Sequence, residues 1–204
     1  MRITSKDQLR ELYRQPSPRA AEKTRDRIDE ATARFISLCP LAILSTAGAD
    51  GTVDASPRGG PAGFIKVIDE RHVAVPDLGG NNRLDSFQNI IANPHAGLLL
   101  MVPGKEETVR INGPAHLSID SDLLASFTAD LRPPKMALVV ETQELFAHCA
   151  KAFRRSGVWK PASWALLKTA PDLAEIYECQ FPSTTAEEMR ATLEQVYADD
   201  LARD

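Results

Sequence analysis

The stretch "PDLGGNNRLDSFQNI", residues 76–90, decides the fold, because a strand pattern ends in it and a helix pattern begins. Glycine adopts positive φ readily, so the two glycines at 79–80 allow successive backbone N–H groups to converge on an anion. The helix that follows adds N–H groups and the positive end of its dipole. Asn81 and Asn82 are able to cap this helix or to bind an oxygen, and Arg83 adds a planar, charged group of donors that suits phosphate.

Two interpretations of this stretch remain open. It is either a phosphate-binding loop or an ordinary turn that uses Gly and Asn for its geometry and exposes a solvated arginine. Its spacing matches neither G-x-G-x-x-G nor G-x-x-x-x-G-K-[ST], so neither a dinucleotide-binding fold nor a P-loop is indicated.

Two other segments also place an arginine beside a strand pattern. In "ASPRGGPAGF", residues 55–64, Arg58 comes just after a strand and before Gly-Gly-Pro. In "TVRINGPAHL", residues 108–117, the period of two along a strand puts Thr108, Arg110 and Asn112 on one face. Each arginine alone is a weak signal, but three strand-rich segments that each present one favour an anion-binding site.

The pattern around these segments is rich in strands. Three tight reversals are expected, at Asp50-Gly51, Asp69-Glu70 and Pro103-Gly104. The apolar runs beside them predict strands over residues 41–48, 52–57, 63–69, 71–76, 95–102 and 107–119. A short helix over 81–93 is inserted among them. Six strands at this spacing favour a closed or nearly closed antiparallel barrel over an open parallel sheet.

Helices are expected around the barrel. Helical patterns cover residues 20–38, 120–131 and 184–204, another helix begins near 148 and breaks at Gly157, and a further strand is expected over 136–145. The expected organisation is a single domain, 1–204, with N-terminal helices at 1–39, the barrel core at 40–165 and a C-terminal helical extension at 166–204.

Composition restricts the class of function. The chain has 43% apolar and 25% charged residues, which suits a soluble domain with a genuine core. Its 24 basic and 28 acidic residues give a net charge of −4, which argues against a protein that coats nucleic acid. The longest clean apolar run, "AGLLLMV" at 96–102, is far shorter than the roughly 20 residues of a membrane-spanning helix, and no secretory signal pattern opens the sequence.

The cysteines predict a reducing environment. Cys39, Cys149 and Cys179 are odd in number and scattered, and neither they nor the four histidines have metal-ligand spacing. We therefore expect a cytoplasmic protein without a metal site. Cys149 is expected to be a small buried side chain, or a reactive thiol if a neighbouring lysine lowers its pKa.

The order of segments, "ASPRGGPAGF … VAVPDLGGNNRLDSFQNIIANPHAGLLLMVPG … ETVRINGPAHL", resembles the FMN-binding split barrel of the pyridoxamine 5′-phosphate oxidase superfamily. More narrowly, it is similar to the branch of that class described as probable FMN-dependent enzymes. The resemblance covers about residues 35–165, and "HCAKAFRRSGVW" at 148–159 extends it. It implies a mainly β fold with peripheral helices, built on a six-stranded antiparallel split β-barrel. It also implies a homodimer with two FMN molecules at the subunit interface and oxidoreductase activity on an unidentified small molecule.

The resemblance further implies which residues hold the cofactor. Arg58 matches an arginine that contacts the flavin, and backbone contacts to the ring fall on Val75, Pro76 and Asp77. The phosphate falls to Asn82 and Arg83, with Asn81 and Ser86 near. The partner subunit is expected to contribute Glu107, Thr108 and Arg110, and looser candidates for the other end of the pocket are Lys151, Arg155 and Trp159. No residue is an obvious general acid or base.

The chain also departs from the family pattern. True pyridoxamine phosphate oxidases have an Arg-Lys pair at the phosphate-binding turn, where this chain has Asn82-Arg83, and they end in an Arg- and His-containing segment that "LEQVYADDLARD" lacks. The resemblance therefore does not extend to pyridoxamine phosphate as substrate. The alternatives are a non-catalytic flavin- or haem-binding protein and a deazaflavin-dependent reductase in the same cleft.

Overall fold

The computed structural model describes residues 2–128, 131–165 and 167–202, and its core is an antiparallel sheet curved into a split barrel. The strands are β1 (Leu41–Ala47), β2 (Val53–Gly59), β3 (Lys66–Val67), β4 (His72–Pro76), β5 (His95–Met101), β6 (Thr108–Ser118), β7 (Ala137–Glu141) and β8 (Glu144–His148). Their order is β2-β1-β5-β6-β7-β4-β3, and β8 also pairs with β6. Because β2 and β3 are the two edges, the barrel is split rather than closed.

The predicted fold class is confirmed, with eight strands in the described residues where the barrel was expected to have six. The further strand expected over 136–145 is in fact two strands, β7 and β8, which run in the same direction along β6 and are separated by a break at Thr142 and Gln143. Of the strand expected over 63–69, only the two residues of β3 are in strand conformation. All three predicted hairpins form: β1 pairs with β2, β3 with β4 and β5 with β6.

β6 holds the two halves of the barrel together, because it is long enough to belong to both. Its first half, Thr108–Asn112, pairs with β8, and its second half, Ala115–Ser118, pairs with β7. The change of partner occurs at Gly113, beside the break between β7 and β8, where that part of the chain passes close to β6. A Cβ atom at Gly113 would overlap the carbonyl oxygen of Glu141, so only glycine allows this close approach.

The barrel core follows from the period of two along the strands. Inward-facing residues alternate with outward-facing ones, and the inward set is almost entirely excluded from solvent: Ala42, Leu44, Leu98, Leu100 and Ile111. Burying a Leu or Ile side chain stabilises a fold by roughly 1.5–3 kcal/mol. This layer therefore fixes the register of β1, β5 and β6.

The helices lie around the barrel. They are α1 (Lys6–Leu12), α2 (Pro18–Ala21), α3 (Glu30–Ser37), α4 (Asp85–Ala92), α5 (Ser121–Ala125), α6 (Lys151–Ser156), α7 (Leu173–Gln180) and α8 (Ala186–Leu201). α8 opens with a capping box between Thr185 and Glu188, and α6 ends at Gly157, which has φ of 63°. Helix α7 was not predicted.

Three helix predictions need correction. The continuous helix expected over 20–38 is wrong: the chain is extended near Arg25, which bridges to Leu145, and α3 begins only at Glu30 behind its N-cap Asp29. The helix expected over 120–131 is the short α5, and its positions 129 and 130 lie outside the described residues. The helix expected over 184–204 ends at Leu201, and positions 203 and 204 also lie outside the described residues.

Candidate functional site

A cavity of about 600 Å³ opens where β4 ends and α4 begins. Residues of β2, the loop 77–84, the first turn of α4, the segment before β7 and the end of α8 surround it. The residues that define its charge are Arg58, Asp77, Arg83, Asp85, Arg132, Lys135 and Asp200. It brings together six of the residues predicted to hold a cofactor: Arg58, Asp77, Asn81, Asn82, Arg83 and Ser86.

Arg58 reaches the cavity from the end of β2, and residues of α4 hold its side chain in place. Its Nη2 donates to the hydroxyl of Ser86 (3.0 Å), and its guanidinium carbon lies 5.4 Å from the centre of the Phe87 ring. Ser86 and Phe87 are buried in the first turn of α4. Arg58 therefore has a fixed direction before any ligand arrives.

Arg83 is at the mouth of the cavity, and its side chain is 71% exposed. Its Nε donates to Asp85 Oδ2 (2.7 Å), and its backbone N–H donates to Asn81 Oδ1 (3.0 Å). The hydrogen bond and charge of Asp85, with a smaller contribution from Asp54, raise the pKa of Arg83 above its ordinary value. The cation expected to bind phosphate is thus already paired with a carboxylate.

The loop before α4 does not use its glycines as expected. In this loop positive φ occurs at Asn82 (56°) and Leu84 (62°), while Gly79 and Gly80 are outside that region. The helix expected to begin near residue 81 begins at Asp85, and its N-cap, Leu84, provides no side-chain hydrogen bond. A non-glycine residue at positive φ costs of order 1–3 kcal/mol, so surrounding contacts hold this loop in place.

Asp77 presents a half-buried carboxylate to the cavity. Its backbone N–H donates to the Met136 carbonyl (2.9 Å), which fixes the residue at the end of β4. Burial raises the pKa of Asp77, and the charges of Arg58 and Lys135 offset part of that rise. In the described part of the chain the ladder between β3 and β4 ends at Ala74, so β3 does not cover the backbone at Val75 and Pro76.

The remaining predicted residues lie outside this cavity. Val109 and Ile111 point into the core, so Thr108, Arg110 and Asn112 share the outer face of β6, as predicted. The Arg110 guanidinium stacks on Phe146 of β8 at 4.1 Å. Arg110 Nε is buried without a hydrogen-bond partner among the described residues.

The candidates of the segment 148–159 lie further along this side of the barrel. Lys151 opens α6, and Arg155 Nε donates to the Lys151 carbonyl (3.2 Å). Trp159 stacks on Phe153 and donates from Nε1 to the Lys105 carbonyl (2.7 Å), and Glu107 is exposed next to β6.

The outer face that carries Arg110 continues as an apolar surface across the sheet. Direct cross-strand pairs share a face, so Arg110 lies beside Leu99, Leu99 beside Ile43, and Ile43 beside Pro57. Val53, near the start of β2, is 83% exposed. We call this surface, made by Leu41, Ile43, Val53, Pro57, Leu99 and Met101, the outer apolar face.

Several residues of the site were missed by sequence reasoning. Asp54 and Ser56 share the face of β2 that carries Arg58, and their period of two is the signal already used on β6. Arg132 and Lys135 reach the cavity from the segment before β7, and no local pattern marks them. The expectation that Cys149 is buried is wrong, because this thiol is exposed.

Comparison with known proteins gives the family. The family model described as Pyridoxamine 5′-phosphate oxidase matches residues 28–149, more than half of the 204 residues. The chain belongs to this family. The match includes the barrel from β1 to β8 and the loop 77–84 that forms the cavity, so the pyridoxamine 5′-phosphate oxidase fold predicted from the sequence is confirmed. No curated protein sequence matches the chain.

Solved structures similar to this member of the pyridoxamine 5′-phosphate oxidase family include three with low sequence identity. HupZ of Group A Streptococcus is 14% identical over 59% of this chain and 93% of its own, with a TM-score of 0.48. A putative pyridoxamine 5′-phosphate oxidase of Lactobacillus delbrueckii is 20% identical over 61% and 98%, with a TM-score of 0.47. An FMN-binding protein of Syntrophomonas wolfei is 13% identical over 57% and 84%, with a TM-score of 0.43.

Two other kinds of site are not found within residues 2–128, 131–165 and 167–202. No group of three or more His, Cys, Asp or Glu side chains is placed to hold a metal ion. No helix in these ranges has the length and apolar character needed to cross a membrane.

Proposed function

We propose that this protein is a homodimeric, FMN-dependent oxidoreductase that acts on a small molecule, with FMN bound in the cavity at the start of α4. The observation that carries the proposal is this cavity of about 600 Å³, with Arg58 and Arg83 in its wall, in a chain of the pyridoxamine 5′-phosphate oxidase family. Pockets of about 300–1,000 Å³ are typical for ligands of this size.

The charge of the cavity fits a phosphate-bearing ligand. A phosphate monoester carries a charge of about −1.5 to −2 near neutral pH, so more than one cation is needed to hold it. Arg58 and Arg83 provide two, and the first turn of α4 adds backbone N–H groups. Arg83 is paired with Asp85, so Asp85 competes with the phosphate for it.

The flavin ring is proposed to lie along the end of β4. The backbone at Val75 and Pro76 has no β3 partner, but both residues are buried and do not line the cavity, so their contacts with the ring stay a prediction. When bound, FMN supplies the redox chemistry, and the protein binds, orients and tunes it. Arg58 provides a positive charge that favours the reduced, more negative state, and the half-buried Asp77 carboxylate is the nearest candidate for holding a proton.

The proposed homodimer brings the two groups of predicted residues together. Arg110 and Thr108 lie on the outer side of β6, next to the outer apolar face, and not in the cavity of their own subunit. A contiguous apolar face of this kind is typical of an interaction surface. Packing of two such faces would bring Arg110 of one subunit towards the cavity of the other, and would give its unpartnered Nε an acceptor. We propose that the partner subunit contributes four further residues to the same cavity: Glu107, Lys151, Arg155 and Trp159.

The proposed substrate is a small molecule, and the proposal does not assign its chemical class. The proposal excludes pyridoxamine phosphate, because the Asn82-Arg83 turn replaces the Arg-Lys pair of the true oxidases. A cytoplasmic location is also part of the proposal and rests on the three scattered cysteines.

The experiment that tests the cofactor compares FMN with riboflavin, which lacks the phosphate. The wild-type protein is expected to quench the fluorescence of FMN and to bind it at least about tenfold more tightly than riboflavin, since a charged hydrogen bond contributes roughly 1.5–3 kcal/mol. Arg83→Ala should lower FMN affinity and leave riboflavin affinity unchanged, and Asp85→Asn should raise FMN affinity. Arg19→Ala, on the exposed α2, is the matched control.

Two outcomes would contradict the cofactor proposal. A wild-type protein that ignores both flavins but binds a deazaflavin or haem would replace FMN with that ligand. Equal affinity for FMN and riboflavin would show that Arg83 does not bind the phosphate. Bound FMN that is neither reduced by a nicotinamide cofactor nor reoxidised by any acceptor would favour a binding protein over an oxidoreductase.

A further inference from the structure

A chain of hydrogen bonds lies behind Arg58 and ends at a carboxylate that does not line the main cavity. Asp54, Ser56 and Arg58 occupy the same face of β2, and Ser86 of α4 packs against that face. Ser86 Oγ donates to Asp54 Oδ2 (2.5 Å), and Ser56 Oγ donates to the same oxygen (2.9 Å). Arg58 Nη2 in turn donates to Ser86 Oγ (3.0 Å).

The number of hydrogens on each group fixes which group donates and which accepts in this series of hydrogen bonds. A serine hydroxyl has one hydrogen, and an ionised carboxylate only accepts. Because Ser86 gives its hydrogen to Asp54, its oxygen can only accept on the side that faces Arg58. Ser56 also gives its hydrogen to Asp54, but among the described residues Arg58 donates to Ser86 and makes no hydrogen bond to Ser56.

We infer that Asp54 is a positioning residue for Arg58: it orients the Ser86 hydroxyl as an acceptor, which holds the Arg58 guanidinium toward the cavity. This rests on the proposed function, in which Arg58 binds the anionic cofactor. It follows that Ser86 contributes to cofactor binding through Arg58 and does not itself donate to the phosphate. Asp54 is two hydrogen bonds from Arg58 and three from a ligand that Arg58 binds.

A purely structural role is the rival explanation, because the same bonds join α4 to β2. Other bonds already join α4 to the barrel: Asn89 Nδ2 donates to Thr46 Oγ1 (3.0 Å), and Asn93 Nδ2 donates to the Ala47 carbonyl (3.1 Å). Ile90 also packs in the core. The helix is therefore anchored without Asp54, and the two roles are separable by experiment.

The test is a double-mutant cycle on FMN binding, with Asp54→Ala, Arg58→Ala and the double variant. Asp54→Ala should weaken FMN binding about tenfold, the equivalent of roughly 1.4 kcal/mol, and should add less than about twofold when Arg58 is already alanine. Ser86→Ala should reproduce the effect of Asp54→Ala. Asp54→Asn should stay within about threefold of wild type, because its amide oxygen still accepts both serine hydrogens.

The matched control is Asp50→Ala. Asp50 is a carboxylate of the β1–β2 hairpin that also accepts from a hydroxyl, Thr52 Oγ1 (2.6 Å), and from a backbone N–H (3.0 Å), but it is not part of the cavity wall. Its removal should leave FMN affinity unchanged while it destabilises the hairpin. A loss of FMN binding that simply follows stability would therefore appear in both variants.

A second measurement does not depend on FMN. In protein with ¹⁵N-labelled arginine, rotation about the Cζ–Nη2 bond of Arg58 should be slow in wild type and in Asp54→Asn, and fast in Asp54→Ala and Ser86→Ala. Equal loss of FMN affinity from Asp54→Ala with and without Arg58 would overturn the inference, and so would unchanged Arg58 rotation. If wild type binds no FMN but Arg58 rotation responds as stated, the proposed function fails while the positioning of Arg58 stands.

Discussion

At the scale of single residues, the cavity is defined by cations that are already in contact with acceptors. Arg58 donates to Ser86, and Arg83 donates to Asp85. The first contact fixes a direction and leaves most of the guanidinium donors for a ligand, whereas the second places a full negative charge beside the cation. The two arginines are therefore not equivalent, and ligand binding must displace a carboxylate only at Arg83.

Asp77 gives a prediction about pH. Burial raises its pKa in the folded protein above the ordinary value of 3.8, so the folded state favours the neutral carboxyl more than the unfolded state does. Its contribution to stability is full below about pH 3.8 and is lost as pH rises through the raised pKa. Asp77→Asn should therefore be more stable than wild type at neutral pH, with a difference that vanishes in acid, as measured by urea unfolding at several pH values.

The comparison for this prediction is Asp50→Asn. The hydroxyl and backbone of Thr52 lower the pKa of Asp50, so this variant should change stability in the opposite direction at neutral pH. Were wild type more stable than Asp77→Asn at neutral pH, the charges of Arg58 and Lys135 would outweigh burial at Asp77.

Cys149 gives a prediction about thiol chemistry. The thiol is exposed, and its pKa is lowered, first by a hydrogen bond from the Lys151 backbone N–H and then by the charges of Lys151 and Lys23. Burial instead raises the pKa of Cys39. Since the thiolate is the reactive form, iodoacetamide should modify Cys149 rapidly in the native protein and Cys39 only after unfolding, as followed by mass spectrometry. In Cys149→Ser the only native labelling should be that of the exposed Cys179, and native labelling of Cys39 would contradict the expected order.

At the scale of elements, short-range signals predicted the hairpins well and the helices less well. Asp50-Gly51 forms a tight turn with Gly51 at φ of 86°, because turn geometry depends on the residues within it. The helix expected over 20–38 has the right composition, but Arg25 exchanges backbone hydrogen bonds with Leu145 on β8, 120 residues along the chain. Such a long-range contact overrides helix propensity and has no local signal.

The candidate site was predictable to a similar extent. Arg58 and Arg83 stand out in the sequence because each comes after a strand pattern and near a pair of glycines, and the structure brings them to one cavity. Asp54 had a local signal in the alternation of β2. Arg132 and Lys135 had none, because they reach the cavity only through the path of the chain between β6 and β7.

Gly113 gives the prediction at this scale. Gly113→Ala should destabilise the protein by about 3 kcal/mol, the upper end of the usual effect of overpacking, because its Cβ would strike backbone atoms of Glu141 and Gln143 and neither strand can move alone. The measurement is the midpoint of urea unfolding. Gly80→Ala is the control, since a Cβ there meets nothing within 4 Å. A shift at Gly113 no larger than at Gly80 would mean that the close approach of residues 141–143 to β6 relaxes easily.

At the scale of the whole molecule, the predicted cofactor residues form two groups on different sides of the barrel. One group lines the cavity by α4, and the other lies on the outer side of β6 and in the segment that follows β8. A single subunit does not unite them in one cavity. A twofold pairing through the outer apolar face would place both groups at the same interface, and would remove Ile43 and Leu99 from water.

The shared site is testable by complementation between subunits. Arg58→Ala removes the cavity cation and Arg110→Ala removes the cation proposed to come from the partner, so each variant alone should bind FMN weakly at both sites. In a mixed dimer one site has both substitutions and the other has none. Unfolding and refolding an equal mixture should therefore restore tight binding to about one site in four, measured by FMN fluorescence.

Ile43→Asp with Leu99→Asp should yield monomers by light scattering and abolish the restoration, while Ile119→Asp, at an exposed apolar residue after β6, should not. If the mixture binds no more FMN than the separate variants, both arginines act within one subunit, and the apolar face needs another partner.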